Sequence, residues 1–321
     1  MCQLGHRRRL VTAWRCASVD IWRGTTAERA NAVRQVAGAR VSNRFPRYAE
    51  PDCAPPRLAA SSPTGGEQAV SIRTEHGRFA VGGARRNENR ARGWTVPPPK
   101  ESTKSSSDFA RERAAKVHWL VRRGYVRSAR TRQALLKVPR ESFIPLQYRD
   151  YAYLEVPLPL PGTRATISCP HSYPLFYEPL GLDQGHRFLE VGTGSGYGSA
   201  VAREIVGAEG LVVSVEIDPL TIAFARANLE AAAYRDIILV QGDGGLGYPE
   251  LSPYDRIAVT AACSTIPPPL IEQLAMGGRL VAPVVEQRTQ NLLLLEKTSE
   301  GIRTRVIGEV LYVSLRGAYA A

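Results

Sequence analysis

The spacing of apolar positions changes twice along the chain. Over residues 1–100 no period of 2 or 3.6 is sustained, and Arg, Ala, Gly, Ser and Pro dominate. Pro97-Pro98-Pro99 and Ser105-Ser106-Ser107 read as a linker. From Phe109 to Val121 apolar groups recur three and four apart, the spacing of an amphipathic helix. Ser128 then precedes a second helical stretch over 129–137, with Ala134, Leu135 and Val138 on its apolar side, and Pro139 interrupts it. Residues 108–150 therefore form a small helical cap.

Beyond residue 185 the pattern changes again. The runs 188–191, 211–215, 237–240 and 257–260 are almost continuously apolar, as strands buried on both faces are. Helical stretches intervene at 197–206 and 219–232. Asp218 is placed to cap the second, with Pro219 in its first turn. This alternation predicts an α/β fold with a doubly wound, mostly parallel sheet and right-handed crossovers. After Gly277-Gly278 the runs 279–284, 291–297 and 304–315 follow without long helices, so the sheet should close with antiparallel strands.

Charge sharpens the division. The 321 residues carry 42 Lys+Arg and 30 Asp+Glu, a net of +12. Residues 1–100 hold 18 of the bases and 7 of the acids, so almost all of the excess lies there. The rest is nearly neutral, which excludes nucleic-acid-binding charge spread over the whole protein. Residues 1–107 read as a basic, disordered extension and linker, and 108–321 as the folded domain. The Arg-rich start, with Arg7-Arg8-Arg9, resembles an organelle transit peptide, and no apolar segment follows it as in a secretory signal. Five scattered cysteines with no CxxC pair suggest reduced thiols in a cytoplasmic protein. No run approaches the length needed to span a bilayer.

Candidate chemistry sits at the strand tips. Glu190-Val191-Gly192-Thr193-Gly194-Ser195-Gly196 lies between the first core strand and its helix, where glycines permit a sharp turn and close ligand approach. A second strand ends in Glu216, placed to accept the ribose hydroxyls of a nucleoside. A dinucleotide would need its pyrophosphate at the helix N-terminus. S-adenosylmethionine carries no phosphate, and its enzymes commonly have an acid where Glu190 stands. The third strand ends in Gly242-Asp243-Gly244, where Asp243 can accept from an adenine amino group. Together these fit a methyltransferase better than a dehydrogenase. At the fourth tip, Thr260-Ala261-Ala262-Cys263-Ser264 lacks the Pro-Pro-aromatic run of enzymes that methylate base amino groups. It also lacks the carboxylates of a metal-dependent methyltransferase, so no metal is expected. Cys263 reads as a packed thiol.

The domain resembles the protein-L-isoaspartate (D-aspartate) O-methyltransferases. The runs that carry the likeness are 120–125 (LVRRGY), 138–145 (VPRESFIP), 150–153 (DYAY), 165–171 (ATISCPH), the glycine loop, 242–244, 253–257 (PYDRI) and 273–281 (QLAMGGRLV). The resemblance covers about two thirds of the chain. It implies a Rossmann-like class I fold using S-adenosyl-L-methionine, with Ser168 as the active-site hydroxyl and Thr166 close by. It also implies that Pro161, Gly162, Thr163 and Arg164 close over cofactor and substrate within a loop over 155–173. The cofactor would lie on Glu190, Gly192, Thr193, Gly194, Ser195, Gly196, Glu216, Gly242, Asp243 and Gly244. Cys169, Tyr173 and Ser314 depart from the usual pattern. The substrates implied are isoaspartyl-containing proteins, methylated by a monomer with no stable nucleic-acid partner and no membrane. A relative that methylates aspartate in a dedicated peptide, and an RNA-binding role for the basic extension, are the competing readings.

Overall fold

The computed structural model describes residues 70–74, 77–81 and 96–320. The Arg7–Arg9 segment, and most of the stretch read as an extension, lie outside the described residues. Within that stretch β1 (Val70–Thr74) pairs antiparallel with β2 (Gly77–Val81), where the sequence reading places no element. These five-residue alternations are too short to stand out from their Arg- and Gly-rich surroundings. Residues 96–104, read as linker, are tied to the cap. Lys100 pairs with Asp150 at 2.8 Å, and Ser102 and Thr103 also donate to the Asp150 carboxylate, at 2.7 and 3.1 Å.

The cap contains α1 (Ser106–Arg122) and α2 (Ala129–Lys137). α1 starts three residues earlier than its apolar period, because Ser105 and Asp108 form a reciprocal capping box. Ser128 caps α2 by accepting from the Thr131 amide. Two short 3₁₀ turns, Arg140–Phe143 and Leu146–Tyr151, lead to a two-residue ladder of β3 (Leu158–Pro159) and β4 (Thr166–Ile167). α3 (Ser172–Leu180) follows and ends at Gly181, which takes the left-handed conformation at φ 59°.

The core is a seven-stranded sheet. Its strands are β5 (Arg187–Val191), β6 (Leu211–Glu216), β7 (Ile238–Gln241), β8 (Tyr254–Val259), β9 (Leu274–Glu286), β10 (Thr289–Thr298) and β11 (Gly301–Val310), in the spatial order β11-β10-β9-β8-β5-β6-β7. β5 to β9 run parallel, and β10 is antiparallel to both neighbours, as the sequence predicts. α4 (Tyr197–Val206) and α5 (Pro219–Ala231) make the first crossovers, and α6 (Pro268–Glu272) precedes β9. Alternation along the strands divides them between two cores. Phe188 and Val212 pack with the cap helices and α4, while Leu189, Val191, Val213 and Val215 pack on the opposite face. After β5 the chain winds to β6 and β7, then returns to β8 on the other flank of β5. That reversal opens a crevice at the carboxyl ends of β5 and β8, the expected ligand position in such sheets. Among the described residues no helix is long and apolar enough to cross a membrane.

Candidate active site

A cleft of about 830 Å³ lies at this crevice, within the range of small-molecule sites. Its floor is the turn after β5. Gly192, Gly194 and Gly196 all have positive φ, at 96°, 57° and 85°. At Gly192 a Cβ would sit 2.4 Å from the Thr260 hydroxyl, which donates to the carbonyls of Val191 and Gly192 at the tip of β8. Gly192, Thr193, Gly194 and Ser195 line the cleft. Gly196 lies behind them, turning the chain into α4.

Two carboxylates frame this turn. Glu216 accepts from the Gly194 amide at 3.1 Å and the Asp218 amide at 3.0 Å, and burial raises its pKa. Glu190 accepts from the hydroxyls of Ser199 at 2.5 Å and Ser214 at 2.8 Å. It is 2 % exposed, and burial pushes its carboxyl up to about 7, opposed by those two hydrogen bonds and assisted by the negative Glu216. Both acids line the cleft.

The raised Glu190 value fixes a sign. Above about pH 4.5 the unfolded chain has released this proton, whereas the folded protein keeps it to about pH 7. Glu190 thus stabilises the fold below that window and loses the contribution as pH rises through it. In the apo protein Glu190→Gln should match the parent near pH 4.5 and exceed it at pH 8, by on the order of 3 kcal/mol at 1.36 kcal/mol per pKa unit. Thermal unfolding of both proteins across this range checks the sign, and a gap that narrows with rising pH would refute it.

The opposite wall is the β3–β4 tip with the segment after it. Thr163, Arg164, Thr166 and Ser168 line the cleft, while Pro161 and Gly162 face away and dock on the start of α5. The Thr163 amide donates to Asp218 at 2.9 Å, and the Thr221 hydroxyl donates to the Pro161 carbonyl at 2.7 Å. Gly162, at φ 104°, fits only without a Cβ, which would lie 2.3 Å from Thr221 Oγ1 and 2.5 Å from Asp218 Oδ1. Ser168 is half-buried. Its carbonyl accepts at 2.6 Å from Arg140 Nη2, and Arg140 Nε donates to the Ala152 carbonyl at 2.7 Å. Arg140 is 1 % exposed. Its guanidinium lies 5.6 and 5.2 Å from the ring centroids of Tyr173 and Tyr197, whose π faces offset the cost of a buried cation.

The third strand tip is arranged differently from the other two. Gly244 lines the cleft, but Gly242 and Asp243 do not. Both Asp243 oxygens are engaged, one by the Gly245 amide at 2.9 Å and the other by the Ala318 amide at 2.7 Å. Gly317 opposes this carboxylate so closely that a Cβ would approach to 2.3 Å. In this structure Asp243 anchors the C-terminal segment beside the cleft. Arg316 of that segment reaches Asp218 at 3.3 Å and joins the wall. Sequence reasoning missed Arg140 and Arg316, and saw Asp218 only as a helix cap. Asp218 does cap α5, through the Leu220 and Thr221 amides, while also holding the loop and the tail. Cys263 is buried, directs its thiol at the Pro283 carbonyl, and is pushed up to about 11 by burial, which fits a packing role.

The doubly wound sheet, the glycine turn and the acids at the first two strand tips define a Rossmann-like S-adenosyl-L-methionine-dependent methyltransferase. The residues fit that cofactor: the glycines leave space against the turn, and a buried and a half-buried acid suit a cationic nucleoside. The family model described as protein-L-isoaspartate(D-aspartate) O-methyltransferase matches residues 111–320, and the chain belongs to that family. A protein-L-isoaspartate O-methyltransferase from Hyperthermus butylicus is 43% identical over 226 residues, 68% of this chain and 93% of the relative. One solved protein-L-isoaspartate O-methyltransferase is 34% identical with a TM-score of 0.60, covering 64% of this chain and 67% of its own. A Plasmodium falciparum structure described as such an enzyme in complex with S-adenosyl-L-homocysteine is 25% identical with a TM-score of 0.58, covering 64% and 98%.

Proposed function

We propose that this chain repairs damaged proteins by methylating the free carboxylate of L-isoaspartyl or D-aspartyl residues, with Ser168 orienting that carboxylate. The observation that carries this reading is the placement of Ser168 in the wall of the same cleft as the glycine turn, its backbone held from behind by Arg140. When bound, S-adenosyl-L-methionine supplies an electrophilic methyl group on a sulfonium. A carboxylate with a pKa near 4 is already ionised at neutral pH, so the chain need not provide a base. His171 accordingly serves structure: Nδ1 lies 2.5 Å from Glu155, and its ring packs on Tyr125 at 5.3 Å. The residues contribute position and dryness, and positioning alone is worth up to about 7–11 kcal/mol. Glu216 accepts the ribose hydroxyls, and Glu190 belongs to the cofactor-binding set beside the glycine turn. Thr163 and Arg164 cover the cleft. The methyl ester then closes to a succinimide, which reopens in part as normal aspartate.

Residues 108–321 are the catalytic domain of a cytoplasmic monomer, and 1–107 an extension to it. The test is transfer of a tritiated methyl group to a synthetic isoaspartyl peptide and to its aspartyl twin. Labelling of the isoaspartyl peptide alone is expected. Preferential labelling of the aspartyl peptide would replace repair with methylation of a dedicated aspartyl substrate.

A further inference from the structure

Beside Ser168 three side chains gather that the methyl transfer does not use. Glu155, Cys169 and His171 each offer one donor atom, and the three atoms lie within 4.8 Å of one another. All three are half-buried and line the cleft. His171 Nδ1 and Glu155 Oε2 are 2.5 Å apart, and Lys116 Nζ holds the other carboxylate oxygen at 2.9 Å. The Cys169 thiol, pushed up to about 11 mainly by burial, is no nucleophile at neutral pH.

We propose that Glu155, Cys169 and His171 form a binding site for one thiophilic divalent cation, zinc or cadmium, and that its occupation shuts the carboxylate end of the cleft. Thiolate, imidazole and carboxylate are the donors of zinc sites, and three of them leave a fourth tetrahedral position open. Zinc bonds of about 2.0–2.3 Å place tetrahedral donors roughly 3.3–3.6 Å apart. That separation falls between the present 2.5 Å contact and the 4.8 Å limit of the cluster. Occupation therefore requires the Nδ1–Oε2 contact to lengthen by about 1 Å. The cation takes the place of the hydrogen bond between Nδ1 and Oε2, and the neutral imidazole binds through Nδ1 with its proton on Nε2. Cys169 binds as thiolate, and its proton leaves to solvent. The thiolate and Glu155 together balance a charge of +2. Lys116 remains on Oε1 as an outer partner that fixes the carboxylate. All three donors line the cleft with Ser168, so water or a carboxylate oxygen held at the fourth position would compete with Ser168 for the substrate. This inhibitory consequence rests on the proposed role of Ser168, whereas the site itself does not.

Cadmium reads the site directly through its thiolate charge-transfer absorbance. The full chain is used with Cys2, Cys16 and Cys53 replaced by serine, so that thiols outside the domain are silent. We expect one equivalent of Cd²⁺ to bind saturably. The absorbance should vanish in C169A and in C169S. H171Q and E155Q should each raise the half-saturating concentration at least about tenfold, the scale of loss known even for outer-shell partners. Zinc at matching concentrations should inhibit methyl transfer competitively with the isoaspartyl peptide, leaving S-adenosyl-L-homocysteine affinity unchanged. A cadmium signal that persists without Cys169, or that never saturates, overturns the site. Saturable binding with full turnover overturns its closing of the cleft. The absorbance is read without substrate, so an absence of isoaspartyl activity would count against the functional reading and leave this measurement standing.

Discussion

Ser168→Ala should lower turnover on an isoaspartyl peptide by about 100-fold, the scale of losing one preorganised hydrogen-bond donor to a reacting oxygen. Cofactor affinity should be unchanged, because Glu190, Glu216 and the glycine turn lie on the opposite wall. The fold should also be unchanged, since the bond that holds this segment runs from Arg140 to the Ser168 backbone carbonyl and survives the substitution. Single-turnover methyl transfer and calorimetric binding of S-adenosyl-L-homocysteine separate the two quantities. Full turnover in the variant removes Ser168 from the mechanism.

Gly162→Ala should have an effect of similar size by another route. At φ 104° an L side chain is strained, at a cost of about 1–3 kcal/mol. The added methyl group also collides with Thr221 and Asp218. The tip must lift, giving up the bonds from Thr163 to Asp218 and from Thr221 to Pro161, each worth about 0.5–1.5 kcal/mol. Catalytic efficiency should fall about 30- to 160-fold, from a combined loss of about 2–3 kcal/mol. The midpoint of thermal unfolding should fall by roughly 4–12 °C, since this loss is native-state stability and each kcal/mol is worth about 2–4 °C in a domain of this size. Trypsin should cut faster after the exposed Arg164. A variant with parental kinetics and parental resistance to trypsin would show that docking of this tip is unimportant.

Local signals in the sequence reached the core well. The interval 197–206 coincides with α4, and Asp218 with Pro219 marks the start of α5. β9 is longer than its apolar run because it continues through Gly277-Gly278, residues that carry no strand signal. β11 ends at Val310 and the chain leaves the sheet before Leu315, although the apolar pattern continues, since Tyr312 and Leu315 are buried against other elements. The site was legible where adjacent residues form it, as in the glycine turn and its flanking acids. It was illegible where distant residues meet. Asp243 meets Ala318 across 75 positions, Arg316 meets Asp218 across 98, and Arg140 meets Ser168 across 28. A carboxylate at a strand tip suits a nucleoside and a backbone amide equally well, and only the fold shows that the Asp243 carboxylate also holds the Gly245 and Ala318 amides.

Arg140 lies in the cap segment, yet its two hydrogen bonds end on Ala152 and on the Ser168 carbonyl. The cap is therefore not a detachable module. A chimera that borrowed its cap from another protein would have to supply a guanidinium at this position, or the transplanted piece would leave the reactive segment without its brace.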